Sequence, residues 1–122
     1  MIKRIHSNLM FSHDLAATAD FYEKAGFTIQ ASDDAVRIIS GDFRLCFMDE
    51  SKVQIESAAE AKPRGLGLFI YVEVDDVDAQ YAMLQQNNIH STPPKDWPWG
   101  RRECVVKDPD GYRIVFFASI KK

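Results

Sequence analysis

The residues with most chemistry to offer sit together in Trp97-Pro98-Trp99-Gly100-Arg101-Arg102-Glu103. Two indoles, a stiff proline between them and three charged groups make a recognition set rather than a nucleophilic one. With Pro93 and Pro94 just upstream, the backbone is pre-ordered, so holding the indoles ready for a ligand costs little entropy. Reactive arrangements are thin by comparison. Cys46 and Cys104 have no histidine near them in sequence to activate a thiol, and His6, His13 and His90 show no His-x-His spacing. Asp75-Asp76 has the form of a carboxylate pair, but its place before a helical pattern explains it as a cap. Gly65-Leu66-Gly67 lacks the continuation of a phosphate loop. The candidate chemistry is therefore binding.

The elements that must position these residues fall into two similar halves. In the first, Ile5 to Phe11 reads as a strand and Asp14 as the N-cap of a helix over Leu15 to Ala25. Leu15, Thr18, Tyr22 and Ala25 share one face of that helix, and Gly26 stops it. Phe27 to Gln30 opens another strand. Val36 to Ile39 and Phe43 to Met48 flank Gly41-Asp42, a pair suited to a type II′ hairpin. In the second half Leu66 to Val74 is a strand and Asp75 or Asp76 caps a helix. Val77, Tyr81 and Leu84 fall on one face of it, and Asn87-Asn88 ends it. Ile89 to Thr92 reads as a short strand. Asp108-Pro109-Asp110-Gly111 is a type I turn between strands Cys104 to Lys107 and Tyr112 to Phe117. Two β-α-β-β-β modules follow, of about residues 1–55 and 66–122, joined by a polar linker of about 56–65 within one domain.

Alternation sorts the strand side chains. Leu68, Ile70, Val72 and Val74 are expected under the second helix, with Ile114 and Phe116. Phe69, Tyr71, Glu73, Arg113, Val115 and Phe117 then point the other way. In the first module Leu45 and Phe47 face the helix, while Arg44, Cys46 and Met48 face across. A face mixing rings, cations and a carboxylate is more than a closed core needs. It reads as a cleft or an oligomer interface.

Composition sets outer bounds. The 122 residues are 46% hydrophobic and 27% charged, with a formal net charge of −3 and scattered basic residues. One domain with a proper core fits that size, and nucleic acid is an unsuited partner. No run approaches a membrane span and the first residues lack the apolar stretch of a signal peptide. Two cysteines inside strands read as buried free thiols in a reducing cytoplasm.

Taken in order, Asp14-Leu15, Phe21-Tyr22, Gly26-Phe27, the Trp-Gly block and Asp108-Pro109-Asp110-Gly111 resemble the vicinal oxygen chelate superfamily. That group holds glyoxalases, extradiol dioxygenases and bleomycin-resistance proteins, and Pro98-Trp99-Gly100 is similar to the bleomycin-resistance branch. The resemblance covers nearly the whole chain. It implies an α+β fold of two β-α-β-β-β modules forming a U-shaped mixed sheet around a cleft, with helices outside, and a homodimer. It also implies four metal-ligand places, where a divalent ion would polarise vicinal substrate oxygens. These fall on Ser7, Cys46, Phe69 and Val115, and a one-residue slip would bring His6 to the first. A phenyl and an isopropyl group argue against a metal, so neither metal nor other cofactor is expected. In the bleomycin-resistance branch the matching tryptophan lines a dimer cleft that sequesters a planar, cationic drug. The segment Ala31-Ser32-Asp33-Asp34-Ala35 lacks the aromatics of that branch.

The expected function is metal-free binding of a small aromatic or cationic molecule, as in antibiotic-sequestering proteins. Trp99, Phe69 and Tyr71 are expected to line the cavity, Trp97 its rim, with Arg44, Arg102 and Glu103 as polar contacts. The alternative is a glyoxalase-like metal-dependent lyase or isomerase, or a dioxygenase-related enzyme. An interaction module with a vestigial cleft is the third reading.

Overall fold

The computed structural model describes residues 1–52 and 64–120, and the chain divides into two compact units, residues 1–62 and 63–122. Most of the expected linker, 56–65, lies outside the described residues. Among the described residues no helix is long and apolar enough to cross a membrane.

The first unit comprises β1 (Ser7–Ser12), α1 (Leu15–Lys24), β2 (Ile29–Ala31), β3 (Ala35–Ser40) and β4 (Phe43–Asp49). Its sheet has the order β1-β4-β3-β2, with β1 parallel to β4 and the other pairs antiparallel. Asp14 caps α1 as expected, its side chain accepting from the Ala17 amide at 3.2 Å. Gly26, at φ 104°, carries the chain out of the helix, a conformation that suits a residue without Cβ. The apolar stripe of α1 buries Thr18 and Tyr22, with Ala25 just beyond. The Tyr22 ring lies 4.7 Å from that of Phe47 and 5.5 Å from that of Phe27. Full burial of side chains such as Tyr22, Val36 and Phe47 contributes roughly 1.5–3 kcal/mol apiece. Ser40 and Phe43 pair across the two-residue Gly41-Asp42 turn, and Gly41 alone of the two has positive φ, as a II′ turn requires.

The second unit repeats the plan with β5 (Phe69–Glu73), α2 (Val77–Gln86), β6 (Lys95–Trp97), β7 (Arg101–Lys107) and β8 (Arg113–Ser119). The order is β5-β8-β7-β6, with β5 parallel to β8 and the rest antiparallel. Asp76 is the N-cap of α2, accepting from Ala79 at 3.1 Å, and Asn88 leaves the helix at φ 60°. Val77, Leu84, Ile89, Cys104, Val106, Ile114 and Phe116 are buried. An α+β fold of two repeated modules, each a four-stranded mixed sheet with one helix, is the result.

Several details differ from the sequence expectation: β2 begins at Ile29 rather than Phe27 and β7 at Arg101 rather than Cys104. The fifth strand begins at Phe69 rather than Leu66, because Gly65 and Gly67 both take positive φ and make a turn there. Ile89 to Thr92 forms no strand, only a bridge from Ser91 to Val106. There Thr92 Oγ1 accepts the Val105 amide at 2.8 Å, so a side chain replaces a ladder carbonyl. Cys46 is half-buried, not buried, whereas Cys104 is fully enclosed.

Candidate functional site

The indole segment is built by a hairpin that the sequence reading did not assign. Trp97 ends β6, its carbonyl accepts from the Gly100 amide at 3.0 Å, and Gly100 takes φ 87° before β7 begins. Pro98 presets the first central residue, and the glycine accommodates the left-handed step, as in three-residue hairpin loops. Proline in the second turn position and glycine in the fourth were the available signal. The consequence is geometric. Trp99, at the turn, folds back flat on Trp97, with ring centroids 4.7 Å apart and planes 9° from parallel.

The cross-strand register fixes what surrounds the pair. Lys95 stands opposite Glu103 and Trp97 opposite Arg101, so all four share one face of the sheet. The Lys95 ammonium lies 3.9 Å from the Trp97 centroid, a cation–π contact. Glu103 is buried, and its Oε2 accepts the Trp99 Nε1 hydrogen at 3.0 Å. Beside them opens a groove of about 520 Å³ lined by Thr92, Pro93, Pro94, Lys95, Trp97, Glu103 and Val105. Trp99 is 59% exposed, so its outer face is open to solvent.

The structure brings three expected site residues together, Trp97, Trp99 and Glu103. Phe69 and Tyr71 lie on the same sheet face but at β5, the opposite edge strand from β6. Arg102 is a correction. It points to the α2 side, where Nη2 donates to Asp78 at 2.9 Å and Nη1 to Asp96 at 2.9 Å. Adjacent residues of a strand face opposite ways, so Arg102 and Glu103 cannot serve one pocket. Both carboxylates hold the Arg102 guanidinium firmly charged. Arg44 belongs to the first unit, where its Nη1 donates to His6 Nε2 at 3.2 Å. Groove residues that the expectation left out are Thr92, Pro93, Pro94, Lys95 and Val105, and it is Trp97, expected at the rim, that lines the groove, while Trp99 stacks on it from outside the lining. Lys95 was accessible by alternation from Trp97 had β6 been recognised.

The four places where the resemblance implies metal ligands carry side chains of little use to a cation. Ser7 offers a hydroxyl held against the His6 ring at 3.1 Å, Cys46 a thiol, Phe69 a phenyl and Val115 an isopropyl group. His6, the one nearby imidazole, already accepts from Arg44. Among the described residues no group of three or more His, Cys, Asp or Glu lies close enough to hold an ion. This donor set does not fit a divalent cation.

Comparison with known proteins bears on the same question. The sequence model of the Glyoxalase/Bleomycin resistance protein/Dioxygenase superfamily matches residues 4–116. An antibiotic binding protein from Streptomyces sp. CB03234 is 27% identical, with 94% of each chain covered and a TM-score of 0.72. A glyoxalase/bleomycin resistance protein/dioxygenase from Nocardioides is 24% identical over 99% of this chain and 86% of its own, with a TM-score of 0.79. A lactoylglutathione lyase from Agrobacterium tumefaciens is 21% identical over 95% of this chain and 93% of its own, at 0.71. No curated protein matches the sequence. The structural likenesses thus include a binder and an enzyme on one fold, and fold alone does not choose between them.

Proposed function

Because the chain belongs to the glyoxalase/bleomycin resistance protein/dioxygenase superfamily, we propose that it binds a small planar aromatic molecule and performs no metal chemistry. In this reading it acts as the antibiotic-sequestering members do, by stacking and enclosure. The observation that carries it is the Trp97–Trp99 stack beside a groove, with one indole face open. A preformed stack presents ring surface with little left to order, and each added ring pair contributes ~0.5–1.5 kcal/mol beyond area burial. Trp97, Trp99 and Glu103 form the proposed binding set, with Phe69 and Tyr71 further along the same face. The lyase reading is weaker here, since the four places that would hold its metal carry a hydroxyl, a thiol, a phenyl and an isopropyl group.

The proposal extends to a homodimer in the cytoplasm, with the two units as modules of one domain. Each sheet leaves edge strands, β1 and β2 or β5 and β6, which commonly find partners. Two free cysteines suit a reducing compartment. Light scattering at micromolar concentration tests the dimer, and a monomer mass refutes it.

Titration of planar aromatic compounds against the tryptophan fluorescence tests the binding reading. Saturable quenching is expected, and Trp99→Ala is expected to weaken it at least tenfold, the loss of about one strong stacking contact. Purified protein carrying stoichiometric zinc, nickel or iron, with turnover that depends on it, would overturn the proposal.

A further inference from the structure

Away from the indole groove, the same face of the second sheet carries exposed rings bracketed by two guanidinium groups. Phe69 and Tyr71 occupy successive outward positions of β5 and are 55% and 46% exposed. Phe117 meets Tyr71 edge-on, with centroids 5.7 Å apart. The Arg101 guanidinium carbon lies 4.3 Å from the Phe117 centroid and 5.6 Å from that of Tyr71. At the other end, Arg113 lies 5.9 Å from the Phe69 centroid.

A guanidinium stacked on a ring uses its flat face, while its N–H donors remain in the plane and free at the edge. No side chain or carbonyl among the described residues accepts from Arg101, and Arg113 has only a long 3.5 Å contact to the Gly65 carbonyl. Neither arginine forms an ion pair among the described residues, although Glu73 and Glu103 stand on the same face. Glu103 is occupied by the Trp99 indole. By register the face carries four basic side chains, Lys95, Arg101, Lys107 and Arg113, against these two acidic ones. That local excess sits on a chain whose net charge is −3.

From this arrangement we infer that the ligand is an aromatic carboxylate. Its ring lies over Phe69 and Tyr71 and its carboxylate meets the in-plane donors of Arg101, with Arg113 at the far end. The inference rests on the aromatic-binding function proposed above but seats the ring on Phe69 and Tyr71, further along the same sheet face than the Trp97–Trp99 stack, and it replaces the cationic ligand that Glu103 suggests in sequence. Rings supply contact area, and the fork supplies selection for a planar anion.

Three probes of one shape separate the claims: 2-naphthoate, 2-naphthalenemethanol and 2-naphthylmethylamine, titrated by fluorescence and by amide shifts in NMR. The acid is expected to bind roughly tenfold or more tighter than the alcohol, about the factor of one charge-assisted hydrogen bond, and the amine weakest. The gap between acid and alcohol should shrink as salt rises. Arg101→Gln should bring the acid to the affinity of the alcohol, and Arg101→Lys should restore only part of the preference. Lys24→Gln, an exposed charge in the first unit, should leave the preference as it is. Equal binding of all three probes, a preference for the amine, or an undiminished preference in Arg101→Gln overturns the aromatic-acid reading while leaving aromatic binding in place. If none of the three binds at millimolar concentration, both readings fall together.

Discussion

The Trp99 indole donates to the Glu103 carboxylate across 3.0 Å, joining a solvent-facing ring to a side chain that is only 5% exposed. One partner is at the surface and the other is enclosed, so the bond matters more to Glu103 than to Trp99. Trp99→Phe keeps an aromatic ring, though a smaller one, and removes the N–H, leaving a buried acceptor short of one donor, at about 1–3 kcal/mol. Glu103→Gln retains an acceptor and should cost less. Urea unfolding of both single variants and the double variant is expected to give a coupling of ~1 kcal/mol. Additive effects would show that the pair is not energetically joined.

Two glycines with nearly equal φ should respond very differently to alanine. Gly65 (φ +79°) and Gly67 (φ +80°) flank Leu66. A Cβ on Gly65 would collide with the Gly111 carbonyl oxygen and lie 2.9 Å from Tyr112 Cα, whereas on Gly67 it meets open space. Gly67→Ala is expected to cost only the ~1–2 kcal/mol of a left-handed alanine. Gly65→Ala carries the same strain plus a backbone displacement and should exceed it by at least ~1–2 kcal/mol. Thermal melts that rank the two variants equally would refute the close approach.

In the first unit the buried hydroxyls of Ser12 and Thr18 bond each other at 2.7 Å, tying β1 to α1. Ser12 Oγ also accepts the Asp14 amide at 3.1 Å, at the helix cap. Ser12→Ala is expected to destabilise by ~1–3 kcal/mol, since it strands the threonine hydroxyl. Adding Thr18→Val should cost less than the sum, because it removes the stranded group. Denaturant midpoints of the two single variants and the pair decide this.

The two thiols should differ in reactivity. Burial pushes the Cys104 thiol up, against a smaller opposing effect of its hydrogen bond with Ser91, so it stays protonated at neutral pH. Cys46 is half-exposed on β4. Alkylation followed by mass spectrometry should label Cys46 first and Cys104 only after unfolding. Prompt labelling of Cys104 in native protein would contradict its enclosure.

Much of this architecture is legible in local chemistry. Asp14 and Asp76 announce both helices, because a short carboxylate beside an orphan amide has few better places. Alternation sent Phe69 and Tyr71 outward and Ile114 and Phe116 inward as the structure has them, but Leu68, expected under α2, lies exposed ahead of β5. The Asp108 turn formed as read: its Oδ1 accepts from the Asp110 and Tyr112 amides, each at 2.9 Å. What escaped was the strand Lys95–Trp97, hidden between Pro94 and Pro98, since three residues are too few for periodicity to register. Missing β6 meant missing the register that sets Lys95 against Glu103. Proximity in sequence suggests Arg102 for the site, although alternation from Glu103 already sends it the other way. Its partner Asp78 comes from α2, a long-range contact that no local pattern reveals.

The strand order β5-β8-β7-β6 also says something about how this half of the protein comes into being. The ribosome makes β8 after every other element of that sheet, yet β8 lies between β5 and β7. Until Arg113–Ser119 emerges, β5 lacks its one sheet neighbour among the described residues and the β6–β7 hairpin has no partner strand there to dock on. The four described strands of the first unit are complete by Asp49 and are free to assemble while the second unit is still being translated. A ribosome stalled before residue 113 would therefore hold one finished sheet and one with its centre missing. That unfilled slot is the stage at which a chaperone, or another chain's strand, competes for β5.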